Sequence, residues 1–252
     1  MRTQSSKIGR VCITGANSPL GQQLVRALVQ SPEPSLRPDA IGVVGSNGVP
    51  LDKEVAARTE LLETKMDSLE SVDLAVSKYR PQTLFSINDD ELRFGDRDIF
   101  AENKLIVDLL KKGWGGSKSP VKARFILVTL LGCGDSEHAI PMQAMDSLRP
   151  LLLELSRVEQ YVRDSGIPYT IVRPGALEDG DSEGRAIVSE SQFGYGTIHR
   201  GTMARLLLDI AVSERAVNKT LIALDMNRLL VAAPYVRPFE VWESPPFEVF
   251  NL

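Results

Sequence analysis

The sequence has 252 residues, of which 43% are hydrophobic and 25% charged, the proportions of an ordinary globular protein. Its formal net charge of −4 and its scattered lysines and arginines exclude the basic face that nucleic-acid binding requires. No apolar stretch reaches the roughly 18 residues of a membrane span, and the N-terminus lacks the apolar core of a secretory signal. We therefore expect a cytoplasmic protein with no nucleic-acid or membrane partner.

Short apolar runs alternate with longer amphipathic stretches, a pattern that predicts parallel strands covered by helices. Strands are predicted at about 10–14, 40–45, 61–65, 83–87, 124–130, 168–172 and 220–224. Helices are predicted at about 19–30, 52–60, 69–79, 97–112, 147–165 and 201–213. The β–α alternation indicates one α/β domain over residues 1–252, with substrate-side elements in about 176–252.

The end of the chain is less regular. An acidic loop is predicted at 178–184, and the tail 234–252 carries Phe239, Trp242, Phe247 and Phe250 among four prolines. Such aromatics more often pin a tail to its own domain or to a partner subunit than bind a ligand. The sequence therefore leaves open whether the protein forms a homodimer.

The cysteines and histidines are too few and too scattered for a metal site. Cys12 and Cys133 lie in or beside apolar runs, where a free thiol behaves as a small hydrophobic group. Two isolated cysteines form neither a disulfide framework nor a zinc site, and His138 and His199 have no metal-binding spacing. We predict that the protein holds no metal.

The turn after the first strand carries the main functional signal. The strand ends in Thr14-Gly15-Ala16, and the segment runs through Gly21 into the helix. Backbone N–H groups and the positive end of a helix dipole attract a pyrophosphate at such a turn. Gly15 permits the sharp turn and Gly21 lets the helix pack closely on the strand, whereas Ser18 replaces the usual middle glycine. The context predicts a site for NAD or NADP.

Four segments in the same order resemble the atypical short-chain dehydrogenase/reductases, the group of NmrA-like and biliverdin-reductase-B-like proteins. The first is the turn Thr14-Gly15-Ala16 with Gly21, and the second is the strand and loop 125–136. The third, 158–175, is similar to the family segment that ends in "YTI-x-RPG", and the fourth is 195–200 with the following helix. The resemblance spans about 10–225 and implies a Rossmann-type, doubly wound, mostly parallel sheet of six to seven strands.

The resemblance also implies the residues that contact the dinucleotide. At the pyrophosphate these are Gly15, Asn17, Ser18, Pro19, Leu20 and Gly21. Farther along the chain, Asp67 corresponds to the adenine position, Ile87 and Asn88 lie beneath the ribose, Thr129 and Leu130 end strand five, and Pro174 and Gly175 lie near the nicotinamide.

The preference for NAD or NADP is undecided. An acid at the end of strand two would bind the ribose 2′-OH, and an arginine there would bind a 2′-phosphate. That strand ends in Gly45 and Ser46 with neither, although Ser46 could serve a hydroxyl.

The usual catalytic residues of the superfamily are missing. A Tyr four residues before a Lys normally transfers the proton, because the Lys lowers the Tyr pKa. Alignment on Glu159 and Gly166 places Leu151 and Leu155 at these two positions, and Leu130, beside Thr129, replaces the supporting serine. We expect the face of the helix that bears Leu151 and Leu155 to line an apolar pocket near the nicotinamide.

Two functions stay open at this stage. The first is an NAD(P)-dependent oxidoreductase that passes hydride to a small conjugated or aromatic substrate mainly by positioning, without the Tyr–Lys pair. The second is a non-catalytic NAD(P)-binding redox sensor or regulatory protein. For the enzyme, His138 in the loop after strand five is the candidate proton donor, with Thr129 as a second catalytic candidate and His199 as a weaker one.

Overall fold

The computed structural model describes residues 7–45, 53–63, 69–89, 98–112, 123–180, 186–230, 239 and 241. Two predicted cofactor-binding residues, Ser46 and Asp67, lie outside this part of the chain. The tail aromatics Trp242, Phe247 and Phe250 also lie outside it, as does much of the predicted acidic loop.

The described chain alternates strands and helices from its first strand to its last. The strands are β1 (Arg10–Thr14), β2 (Ala40–Gly45), β3 (Thr59–Glu63), β4 (Thr83–Ile87), β5 (Arg124–Val128), β6 (Tyr169–Pro174), β7 (Ala176–Glu178), β8 (Ala186–Ser189), β9 (Thr197–His199) and β10 (Lys219–Asp225). The helices are α1 (Pro19–Gln30), α2 (Lys53–Ala56), α3 (Leu69–Tyr79), α4 (Ile99–Lys112), α5 (Met142–Asp164) and α6 (Arg200–Val212).

The central sheet has eight described strands in the order β3-β2-β1-β4-β5-β6-β10-β8. All neighbours pair in parallel except β8, which runs antiparallel to β10 at the edge of the sheet. The strand order reverses between β1 and β4, and ligands of open α/β sheets bind at the carboxyl ends of the strands where this happens. The doubly wound, mostly parallel fold is confirmed, with one strand more than the resemblance implied.

Helices cover both faces of the sheet. α1 and α6 pack together on one face, and α3, α4 and α5 pack on the other. Strands β4 and β5 are buried along their whole length, which explains why the sequence 124–128 shows no polar alternation. The carboxyl ends of these strands and the N-termini of the helices therefore meet at one edge of the sheet.

Several predicted boundaries are wrong in instructive ways. The segment predicted as a helix at 52–60 forms only the single turn α2, and β3 already begins at Thr59. The predicted helix 147–165 begins earlier, at Met142, and contains Pro150 in its interior. Proline is unfavourable inside a helix, yet α5 continues through Pro150.

The region after Gly175 contains three short strands that the sequence pattern did not reveal. β7 and β9 pair in parallel as a separate two-stranded sheet, and β8 joins the central sheet. The tail returns to the domain at Phe239, whose backbone N–H donates to the Val188 carbonyl of β8. The Phe239 ring packs against the core, as predicted for an aromatic that pins the tail.

Among the described helices, none combines the length and apolar character that crossing a membrane requires.

Candidate functional site

A cavity of about 420 Å³ opens at the carboxyl edge of the sheet. Its walls come from the N-terminus of α1, the segments that follow β4, β5 and β6, the first half of α5, and the start of α6. The described lining residues are Pro19, Asp89, Leu130, Leu131, Ile140, Ala144, Leu148, Pro174, Gly175, Ala176, Leu177, Tyr195 and Arg200. The cavity therefore lies at the point where the strand order reverses, which is the position expected for a ligand.

The glycine turn leaves no room for side chains. Gly15 has a φ of +75°, and a Cβ there would lie 2.2 Å from the Ile87 carbonyl oxygen of β4. A Cβ on Gly21 would lie 2.2 Å from the Gly15 carbonyl oxygen, where α1 crosses the turn. The packing roles predicted for the two glycines are thereby confirmed.

Ser18 takes the place of the usual middle glycine by acting as the N-cap of α1. Its φ of −72° needs no glycine, and its hydroxyl accepts a hydrogen bond from Gly21 N at 3.0 Å. Pro19 follows at the first helical position, where its missing N–H costs nothing. Serine therefore stabilises the helix start at the point where a glycine would admit phosphate more openly.

Asp89 reaches this helix start from the end of β4. Its Oδ2 accepts a hydrogen bond from the Leu20 backbone N–H at 3.0 Å, and the residue is 7% exposed. Burial raises the pKa of the Asp89 carboxyl, against the hydrogen bonds from Ser18 and Leu20 and the charge of Arg200. A carboxylate at a helix N-terminus interacts favourably with the helix dipole, so Asp89 occupies part of an anion site.

The remaining walls are largely apolar. Leucine and isoleucine side chains come from the loop after β5, from β7 and from α5, which contributes Ala144 and Leu148. Leu151 and Leu155, which were predicted to line the pocket, instead pack in the core at 8% and 0% exposure. The prediction for these two leucines is wrong, because the pocket meets α5 nearer its start at Met142, through Ala144 and Leu148.

A buried ionic network supports two walls of the cavity. The Arg173 guanidinium donates to Glu159 through Nε at 3.0 Å and through Nη2 at 2.6 Å, and both side chains are fully buried. The Arg173 Nη1 also donates to Asp135 in the loop after β5. Because Arg173 directly precedes Pro174, the network fixes the β6 end and the β5 loop relative to each other.

Four of the predicted site residues line the cavity: Pro19, Leu130, Pro174 and Gly175. Gly15, Asn17, Ser18, Leu20 and Gly21 form the turn beside it. Asn88 is buried behind the cavity and donates to the Val128 carbonyl at 3.2 Å, so it ties the ends of β4 and β5 together. Ile87 is buried below Gly15.

The three predicted catalytic candidates are not among the described lining residues. The Thr129 hydroxyl is fully buried and donates to Glu159 Oε1 at 2.7 Å, as part of the ionic network. The His138 side chain is 82% exposed and lies 3.4 Å from Glu137 Oε1. His199 is the N-cap residue of α6 and is 9% exposed. The structure thus brings none of them into the pocket.

Sequence reasoning assigned no role to the polar residues that do line the cavity, Asp89, Tyr195 and Arg200. One signal was present, because Asp89 comes two residues after the end of β4, the strand that pairs with β1 beside the glycine turn. Tyr195 and Arg200 reach the cavity only through the fold of the region after β7. No cluster of three or more potential metal ligands occurs in the described part of the chain.

The site fits a dinucleotide at the turn, with one departure. The turn keeps the close approach of backbone to backbone that would be blocked by any Cβ at Gly15 or Gly21. Pro174, Gly175 and Leu130 offer an apolar surface at the neighbouring strand ends. The departure is Asp89, because its carboxylate already accepts from Leu20 N–H, a donor suited to a phosphate oxygen.

Comparisons with known proteins agree with this geometry. The family described as NAD(P)H-binding matches residues 15–214. An uncharacterised chloroplast protein of Arabidopsis thaliana is 35% identical over 75 residues, which is 27% of this chain and 22% of that protein. This chain therefore spans about a fifth of the length of that relative.

Solved structures share the fold at low sequence identity. ChuY, an anaerobillin reductase from Escherichia coli O157:H7, is 19% identical with a TM-score of 0.69, covering 91% of this chain and 100% of ChuY. A short-chain dehydrogenase/reductase from Veillonella parvula, in complex with NADP, is 15% identical with a TM-score of 0.66, covering 86% of this chain and 94% of that one. The family match confirms the predicted cofactor class, NAD or NADP, and the solved structures confirm the fold that the resemblance implied.

Proposed function

Because this chain belongs to the NAD(P)H-binding family, we propose that it is an NAD(P)-dependent oxidoreductase acting on a small, conjugated or aromatic substrate. The observation that carries the proposal is the apolar cavity of about 420 Å³ directly beside the glycine turn. A concave, mostly apolar pocket with a few convergent polar groups is the usual form of a small-molecule site. ChuY, which shares the fold, is named as a reductase.

Different residues of this chain would bind the two ends of the cofactor and the substrate. The turn Gly15–Gly21 would hold the pyrophosphate, and Leu130, Pro174 and Gly175 would hold the nicotinamide end. The cofactor, when bound, supplies a hydride. Ile140 and Leu148 would exclude water and hold the substrate ring against the nicotinamide, which lowers the barrier through orientation.

The reaction would proceed without a Tyr–Lys pair. The lining residues that α5 contributes, Ala144 and Leu148, are four positions apart and neither has a proton to transfer. Such a site suits an electron-poor acceptor, which takes hydride readily and needs only a proton afterwards. Tyr195 brings a phenolic hydroxyl to the described lining, and we assign to it the stabilisation of charge on the reduced acceptor.

The test is oxidation of NADH and of NADPH with a panel of acceptors: quinones, flavins, conjugated enones and linear tetrapyrroles. We expect turnover with at least one class. Leu148→Gln should then raise KM for that acceptor about tenfold or more, since burying a leucine side chain contributes about 1.5–3 kcal/mol. It should leave the Kd of the cofactor unchanged.

The matched control is Leu153→Gln on the same helix, because Leu153 is 62% exposed and does not line the cavity. An equal effect of the two substitutions would contradict the assignment of the cavity. Binding of NAD(P)H without turnover of any acceptor would instead favour the redox-sensor function.

A further inference from the structure

Two polar atoms of opposite chemistry are left over at the cavity. Within the described residues, Asp89 Oδ1 and Arg200 Nε are buried and have no hydrogen-bond partner. Both residues line the cavity, and Arg200 lies close enough to Asp89 for its charge to lower the pKa of the carboxyl. Buried polar groups are nearly always paired, so the Arg200 Nε–H calls for an acceptor atom of a ligand, whereas Asp89 Oδ1 calls for a donor.

Two helices begin at the same place. Pro19 is the first residue of α1 and Arg200 is the first residue of α6, both line the cavity, and the two helices pack side by side. The positive ends of two helix dipoles and one guanidinium therefore converge on a small volume. Among the described lining residues, Asp89 supplies the only negative charge there.

The Asp89 carboxylate holds a donor that a ligand would use. Leu20 N–H points to Asp89 Oδ2 at 3.0 Å, and the neighbouring Gly21 N–H points to the Ser18 hydroxyl. An incoming anion must therefore share or replace Asp89 at the start of α1. The Nη1 atom of Arg200 pairs with Asp179, whose side chain is 95% exposed. The Nε atom of Arg200 is instead buried.

We propose that Asp89 and Arg200 form an anion-exchange site, in which Arg200 binds an anionic oxygen of the ligand and this oxygen replaces the Asp89 carboxylate at Leu20 N–H. The anionic oxygen comes either from the cofactor pyrophosphate or from an acidic substituent of the acceptor. An acidic substituent of the acceptor as the source rests on the proposed function. The cofactor pyrophosphate as the source rests only on membership of the NAD(P)H-binding family.

The site predicts opposite effects for its two residues. Arg200→Gln removes the positive charge and should raise the Kd of the ligand that carries the anionic oxygen at least tenfold. Asp89→Asn removes the competing charge and keeps the shape of the side chain. It should lower the Kd of the same ligand at least fivefold. Arg149→Gln and Asp146→Asn are matched controls, because both residues are exposed, pair with each other on α5 and do not line the cavity.

The experiment measures binding rather than turnover. Fluorescence titration gives the Kd of NADH and NADPH, and calorimetry gives the affinity of a neutral naphthoquinone and of its sulfonated derivative. If pyrophosphate is the anion, Arg200→Gln weakens both dinucleotides and leaves the ratio of the two quinone affinities unchanged. If the acceptor supplies the anion, that ratio changes at least tenfold while the dinucleotide Kd stays the same.

Two results would overturn the inference. One is an Arg200→Gln variant, folded by circular dichroism, whose dinucleotide Kd and quinone ratio both stay within twofold of wild type. The other is an Asp89→Asn variant that raises the Kd of the same ligand whose Kd Arg200→Gln also raises. Absence of turnover with every acceptor would refute the proposed oxidoreductase but would leave both binding measurements valid.

Discussion

Glu159→Gln is expected to destabilise the protein strongly, because Glu159 is the centre of the buried network. Its two carboxylate oxygens accept four hydrogen bonds: from the Thr129 hydroxyl at 2.7 Å, from Arg173 Nε at 3.0 Å and Nη2 at 2.6 Å, and from Arg163 Nη2 at 2.9 Å. Both Glu159 and Arg173 have fully buried side chains. Glutamine removes the charge and replaces one acceptor by a donor that faces other donors.

The magnitude follows from the uncompensated guanidinium. Removing one partner of a buried ion pair costs about 3–5 kcal/mol. Arg173 keeps its contacts with Asp135 and Gln192, so we expect the lower half of that range. At roughly 2–4 °C per kcal/mol for a chain of this size, Tm should fall by about 6–16 °C.

Urea denaturation followed by circular dichroism, with calorimetry for Tm, measures the loss directly. Asp146→Asn is the control, because it breaks an ion pair with Arg149 whose side chains are 62% and 58% exposed, and exposed pairs contribute only about 0–1 kcal/mol. A loss below about 1 kcal/mol for Glu159→Gln, equal to the control, would refute the argument that this network holds the cavity walls in place.

Three further predictions concern single residues. Gly15→Val should weaken NAD(P)H at least tenfold in fluorescence titration, because its Cβ would lie 2.2 Å from the Ile87 carbonyl, and unchanged affinity would contradict the role of the turn. His138→Ala should change the single-turnover rate less than about twofold, since the side chain is 82% exposed, whereas a loss of 10²-fold or more would restore it as a general acid. Burial raises the pKa of Asp209 to about 7, against the opposing charge of Arg205, so ionisation destabilises the fold as pH rises towards and through this value. Asp209→Asn should therefore raise Tm more at about pH 8 than at about pH 5, and an equal gain at both would contradict the titration of this group.

The sequence predicted the sheet well where local pattern and tertiary packing agree. The buried run 124–128 and the glycine turn both depend on neighbours in the chain, and both appear where expected. The start of α5 was missed because the apolar recurrence that predicted the helix begins at Leu151, whereas no residue from Met142 to Pro150 is buried. Strands of three or four residues, such as β7 and β9, carry too few positions for a period of two to be visible.

The candidate site was predictable at the cofactor turn and not at the acceptor side. Pro19, Pro174 and Gly175 were implied by the family resemblance, and they line the cavity because α1 begins and β6 ends at the same edge of the sheet. Asp89 becomes meaningful only when β4 lies beside β1, and Arg200 only when α6 packs on α1. Thr129 looked reactive because it follows β5, yet its hydroxyl turns inward to Glu159, a contact that no local pattern encodes.

The contact of the tail with β8 protects the edge of the sheet against aggregation. β8 is the last strand of the sheet and has only four residues, Ala186–Ser189, and its Val188 carbonyl accepts from Phe239 N–H. An open edge strand is a template for pairing with another chain, and covering it is one way in which natural proteins prevent aggregation. The Ser213 hydroxyl, which donates to the Val241 carbonyl, fastens the same segment a second time. A chain shortened to end at Leu230 would thus keep its glycine turn but expose a strand edge, and its yield in soluble form should fall with protein concentration.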